Sequence, residues 1–132
     1  MDCEKKLPFE VIEGIRLFNC GKFFEAHEAL ETAWRAEPDL NRYLYQGILQ
    51  LGVGYYHLLR GNTVGAKHLF NRAQKTLMEM PSFCQGIDVN KIRKQIEEAA
   101  LLIDIVKTNP TIRFQFPIHQ IDIGQMNHAN RE

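Results

Sequence analysis

From Tyr43 to Leu59 the chain carries no formally charged residue, and this run constrains everything around it. It is short of the ~20 apolar residues a membrane span needs, and it holds Gln46, Gln50, His57 and three glycines. A segment apolar on nearly every side is a helix that other helices must surround. We place it at about Leu40 to Arg60. Each glycine costs about 1 kcal/mol against alanine in a helix interior, so close approach of a neighbouring backbone or of a ligand must compensate. One of its stripes reads Tyr43, Gly47, Gln50, Gly54, His57.

The flanking segments supply the surround. Pro8 suits a first helical turn, and Phe9, Ile12, Ile15 and Phe18 follow at near-helical spacing before Gly21 ends the helix. Phe23, Ala26, His27, Leu30, Ala33 and Trp34 form one continuous stripe of a second helix, stopped by Glu37-Pro38-Asp39. Beyond the central helix, Arg60-Gly61-Asn62 makes a corner with Asn62 as N-cap. A fourth helix then buries Ala66, Leu69, Phe70, Ala73, Leu77 and Met80. Pro81 to Gly86 reads as a loop, and Asp88 caps a fifth helix with Ile87 and Ile92 as a hydrophobic staple. That helix buries Ile92, Ile96, Ala99, Ile103 and Val106 and stops at Asn109-Pro110. Ile112, Phe114, Phe116 and Ile118 alternate with polar residues or proline, which predicts an extended tail across the bundle, frayed over its last residues.

Gly21, Ala26, Leu30 and Ala33 are echoed forty positions later by Gly61, Ala66, Phe70 and Ala73. The expected fold is therefore all-α: a compact bundle of about five helices, two stacked helical hairpins plus a closing helix and an extended C-terminal tail. We read 1–132 as one domain, with a helical core at about 8–109 and the tail at 110–132. Small residues at such echoed positions let paired helices approach closely, as in helical-repeat modules.

Composition narrows the function. Sixteen basic and sixteen acidic residues cancel, which argues against a general nucleic-acid binder. Cys3, Cys20 and Cys84 are odd in number, widely spaced and without a CxxC pair, so they read as free thiols of a cytoplasmic protein. Met1 to Lys6 is charged and not followed by a signal-type apolar run.

Chemistry concentrates on two helices. His27 and Glu31 are four apart, Glu28 and Glu31 three apart, and Glu31 and Arg35 form a favourably oriented pair. If the second and third helices pack together, His27, Glu31, Gln50 and His57 can converge. Candidate catalytic residues are His27, Glu28, Glu31, Gln50 and His57; candidate metal ligands are His27, Glu31 and His57. Beside this stands the plainer reading, in which both histidines are satisfied core residues and the carboxylates an ion-pair ladder. The order HExxE fails the zinc-protease signature at its third element. No Gly-rich phosphate loop or G-x-S-x-G nucleophile motif occurs, and no cofactor is expected. Lys67, His68, Arg72 and Lys75 form a small outward basic face without an aromatic platform.

The run Leu17-Phe18-Asn19-x-Gly21-x-Phe23-Phe24-Glu25-Ala26-His27-Glu28-x-Leu30-Glu31-x-x-Trp34-Arg35 resembles the opening motif of the domain-of-unknown-function family 309. Tyr45-Gln46-Gly47-Ile48-Leu49-Gln50 through His57-x-x-Arg60-Gly61-Asn62-x-x-Gly65-Ala66 is similar to that family's other signature. The resemblance covers about Leu7 to Leu77 and implies a compact helical domain; the family carries no assigned activity. Two functions follow as expectations. The first is a protein-interaction or assembly module whose partner is another protein or a second copy, with neither nucleic acid nor membrane involved. The second is a small enzyme or metal-binding protein built around His27, Glu28, Glu31 and His57.

Overall fold

The computed structural model describes residues 1–115 and 118–124. Five helices follow one another: α1 (Phe9–Asn19), α2 (Phe23–Ala36), α3 (Arg42–Leu59), α4 (Thr63–Leu77) and α5 (Val89–Thr108). Eleven residues of α3 are buried, including Leu44, Tyr45, Ile48, Leu51, Tyr55 and Leu58. Its uncharged sequence is thus explained by position, since it packs against α2, α4 and α5. No helix among the described residues is long and apolar enough to cross a membrane.

The two glycine corners use one backbone device. Gly21 has φ 77° and Gly61 has φ 80°. At the first, the amide of Lys22 donates to the Leu17 carbonyl and that of Gly21 to Phe18, both at 2.9 Å. At the second, Asn62 donates to His57 at 2.8 Å and Gly61 to Leu58 at 3.0 Å. This left-handed helix stop satisfies the last carbonyls of α1 and α3 and reverses the chain. Asn62 then caps α4 by accepting from the Gly65 amide at 3.0 Å.

Close helix packing rests on matched contacts. A Cβ on Gly14 would meet the Leu30 side chain at 2.6 Å, and one on Gly54 would meet the Phe70 ring at 2.4 Å. These pairs, α1 with α2 and α3 with α4, are again forty positions apart. Gly47 makes the same kind of room for Leu77, at 2.4 Å. The compensation for Gly47 and Gly54 is therefore a neighbouring side chain, not a backbone or a ligand. The Gly14–Leu30 contact also sets the inner face of α1. Val11, Gly14, Ile15 and Phe18 are buried, whereas Phe9, set at near-helical spacing with Ile12, Ile15 and Phe18, is 74% exposed.

Three expectations are corrected beyond α4. The segment from Pro81 to Gly86 belongs to a small hairpin, with strands β1 (Phe83–Cys84) and β2 (Ile87–Asp88) pairing antiparallel. Its turn residues, Gln85 and Gly86, have φ 53° and 80°, the left-handed pair that tight hairpins require. Gln85 is an unusual choice there, and its bonds offset the strain. Its amide donates to the Cys3 carbonyl at 2.8 Å, its Nε2 to the Lys6 carbonyl, and its Oε1 accepts from the Tyr45 hydroxyl at 3.0 Å.

Second, Cys3 and Cys84 form a disulfide, with Cα atoms 4.4 Å apart, and Cys20 alone is a free cysteine. The case for a reducing compartment that rested on three free thiols goes with it. Third, Pro110–Phe114 is a 3-10 helix and not part of an extended tail. The expectation at Phe116 and that of frayed last residues, 125–132, lie outside the described residues. Residues 118–124 do lie along the bundle. Asn19 brackets Ile121 with two hydrogen bonds (2.9 and 2.8 Å), and the Gly124 amide donates to the Gly86 carbonyl at 2.7 Å. Gln95 ties α5 to both sides, donating to the Tyr55 hydroxyl at 3.0 Å and to the His119 carbonyl at 2.9 Å.

Candidate functional site

The first turns of α2 and the last turns of α3 run side by side and leave a recess between them. Its lining is Phe23, Phe24, His27, Val53, Tyr56 and His57, and its volume is about 150 Å³. The corner at Gly21 starts α2 so that Phe23 turns into the core, against Phe18 and Tyr55. Phe24, one position on, is thereby 54% exposed and meets the Tyr56 ring with centroids 6.1 Å apart. Tyr56 also contacts the His57 ring at 5.9 Å and carries the Arg60 guanidinium 5.3 Å from its centroid.

The sequence candidates separate at this point. His27 and His57 line the same recess, and neither is sealed from solvent. The His57 Nδ1 lies 3.3 Å from Asn62 Nδ2, so the α4 cap also holds the ring. Glu31 lies between His27, at 3.2 Å, and Arg35, at 3.3 Å, along the outer side of α2. Such half-exposed pairs contribute little stability. Glu28 is exposed and forms no wall of the recess. Gln50 is buried and turned to α4, where its Oε1 accepts from the Thr76 hydroxyl at 2.7 Å.

His27, Glu31 and His57 do not assemble as a ligand set: among the described residues, no three His, Cys, Asp or Glu side chains group so as to hold a metal ion. The reason is that Glu31 is drawn along α2 toward Arg35 while His57 turns to Asn62. Val53 and Tyr56 escaped the sequence reading. A signal existed in the spacing Val53, Tyr56, His57, Arg60, which places all four on one helical face beside the stripe chosen there. The indole Nε1 of Trp34 is buried without a hydrogen-bond partner among the described residues.

Residues 11–69 match the family model described as "Domain of unknown function (DUF309)". Over that segment, a little under half of the chain, the sequence is similar to family 309. The segment runs from α1 into α4, and so includes both glycine corners and every wall of the recess. The disulfide, the β1–β2 hairpin and α5 lie outside it. The chain is similar to "Uncharacterized protein YpuF" of Bacillus subtilis (strain 168), 43% identical over 56 residues, which are 42% of this chain and 32% of that protein. It is also similar to an "Uncharacterized protein" of Aquifex aeolicus (strain VF5), 26% identical over 82 residues, 61% of this chain and 25% of that one. The matched part thus spans no more than about a third of the length of either relative.

Proposed function

We propose that this domain is a protein-interaction module, built from two related helical hairpins, whose α2–α3 recess receives one apolar side chain of a partner. The observation that carries the reading is the recess itself, apolar and of about 150 Å³. Pockets for cofactors and drug-sized ligands run to about 300–1,000 Å³, whereas an apolar cavity of about 150 Å³ holds a single benzene ring. One buried anchor in a well-formed pocket is how interfaces concentrate binding energy. The matched Gly14–Leu30 and Gly54–Phe70 contacts support the hairpin relationship.

The test is an NMR titration with benzyl alcohol as a single-ring probe. Saturable shifts at Val53, Phe24, Tyr56, His27 and His57 are expected, and Val53→Phe, which fills the recess, abolishes them while the thermal transition is kept. Shifts scattered over the surface, or equal in the variant, overturn the reading. Sedimentation velocity over a concentration series distinguishes a second copy from a different protein as the partner.

A second reading makes the recess a small reactive site, with His27 and His57 as proton carriers and Glu28 or Glu31 as base. It is favoured by both imidazoles lining one recess, and weakened by the absence of either carboxylate from the walls. In the same titration it requires both imidazole rings to respond. Shifts at the carbon walls alone count against it.

A further inference from the structure

We infer that the anchor entering the recess is an aromatic side chain flanked by carboxylates, so that the partner presents an acidic, aromatic peptide segment. This deepens the docking reading above and rests on it. The walls favour a ring. Tyr56 already meets the rings of Phe24 and His57 at 6.1 and 5.9 Å, within the range of edge and offset ring contacts, and a further ring can join the same arrangement.

Charge supplies the second half. From Leu40 to Met78, across α3 and α4, the chain has no Asp or Glu but carries Arg42, Arg60, Lys67, Arg72 and Lys75. None of these five forms an ion pair among the described residues, whereas Arg16 and Arg35 are held by Glu13 and Glu31. Arg60 is exposed and stacked on Tyr56, a wall of the recess, which leaves guanidinium donors available for a carboxylate beside the seated ring. The net charge of zero conceals this division, because all sixteen acidic residues lie outside this stretch. The same cations would attract a nucleic acid. The apolar recess favours a peptide, since its walls present few polar atoms with which to read a base.

The experiment compares acetyl-Glu-Phe-Glu-amide, acetyl-Gln-Phe-Gln-amide, acetyl-Lys-Phe-Lys-amide and acetyl-Glu-Ala-Glu-amide by NMR titration at low ionic strength. The Glu-Phe-Glu peptide is expected to bind about fivefold tighter than Gln-Phe-Gln, with the lysine peptide weakest and the alanine peptide silent. High salt and the exposed substitution Arg60→Gln should each remove most of the difference. Equal affinity for the glutamate and glutamine peptides overturns the charge inference but leaves the recess reading intact. Equal binding of the alanine peptide overturns the aromatic anchor. Displacement of the Glu-Phe-Glu peptide from the recess by a short oligothymidylate overturns the choice of a peptide. If the peptides and benzyl alcohol all fail to bind, the docking reading itself falls; if only the peptides fail, this inference alone does.

Discussion

Reduction of the Cys3–Cys84 disulfide should lower the stability of this chain by several kcal/mol while leaving its folded structure nearly unchanged. The bridge closes a loop with a sequence separation of 81. In the chain-entropy account, a loop of that length removes about 15 cal/mol/K from the unfolded ensemble, or about 4.5 kcal/mol at 25 °C. Losses measured on removing native disulfides from small domains run from about 2 to 5 kcal/mol. Unfolding entropy near the transition is about 2.1 cal/mol/K per residue, hence about 280 cal/mol/K for 132 residues. The melting temperature should therefore fall by between about 7 and about 16 °C. The folded state should persist, because residues 1–7 are held by other bonds. Asp2 and Asn41 exchange two hydrogen bonds, Lys5 pairs with Glu37, and Gln85 takes the Cys3 and Lys6 carbonyls. The assay is thermal unfolding followed by circular dichroism, with and without a phosphine reductant. A thiol count on protein purified without reductant accompanies it. One reactive thiol, that of Cys20, is expected before reduction and three after it. Three thiols at the outset, or a melting temperature indifferent to reduction, would refute the reasoning.

Two further outcomes follow from the core. Gly54→Ala sets a methyl group 2.4 Å from the Phe70 ring, so equilibrium unfolding should show a loss of about 1–3 kcal/mol; Phe70→Leu in the same chain should recover part of it in a double-mutant cycle, and simple additivity would count against the contact. Burial pushes the Tyr45 and Tyr55 hydroxyls up to about 12, partly opposed at Tyr55 by the hydrogen bond it accepts from Gln95. Both keep their protons in the folded chain at a pH where the unfolded chain has lost them, so stability should fall as pH rises from about 10 to about 12. The slope is about 1.4 kcal/mol per pH unit for each tyrosine, and Tyr55→Phe should roughly halve it; denaturant titrations giving a flat profile to pH 12 would contradict this.

The legible part of the fold was local. Helix starts and stops are written in short patterns: Asn62 and Asp88 cap as their side chains suggest, and Gly21 and Gly61 stop their helices because they reach the left-handed region without a Cβ penalty. The candidate site was half legible. His27 and His57 do share a recess, but Gln50 belongs to α4 through Thr76 and Glu31 to the outer side of α2. A helical stripe spans more than one neighbour, and sequence spacing does not say where one neighbour ends and the next begins.

By itself, the sequence determined five helices, their order, the two glycine corners and the central place of α3, because an uncharged segment apolar on nearly every side and too short for a membrane is enclosed by other helices. Tertiary structure alone decided the rest. Helix rotation depends on side chains far apart in sequence, such as Phe70 on Gly54 and Leu77 on Gly47, and those contacts choose which residues of α3 face α2. The disulfide depends on the hairpin at Gln85 bringing Cys84 to Cys3, a meeting that no local pattern encodes. The recess exists only where two such rotated helices fail to close completely.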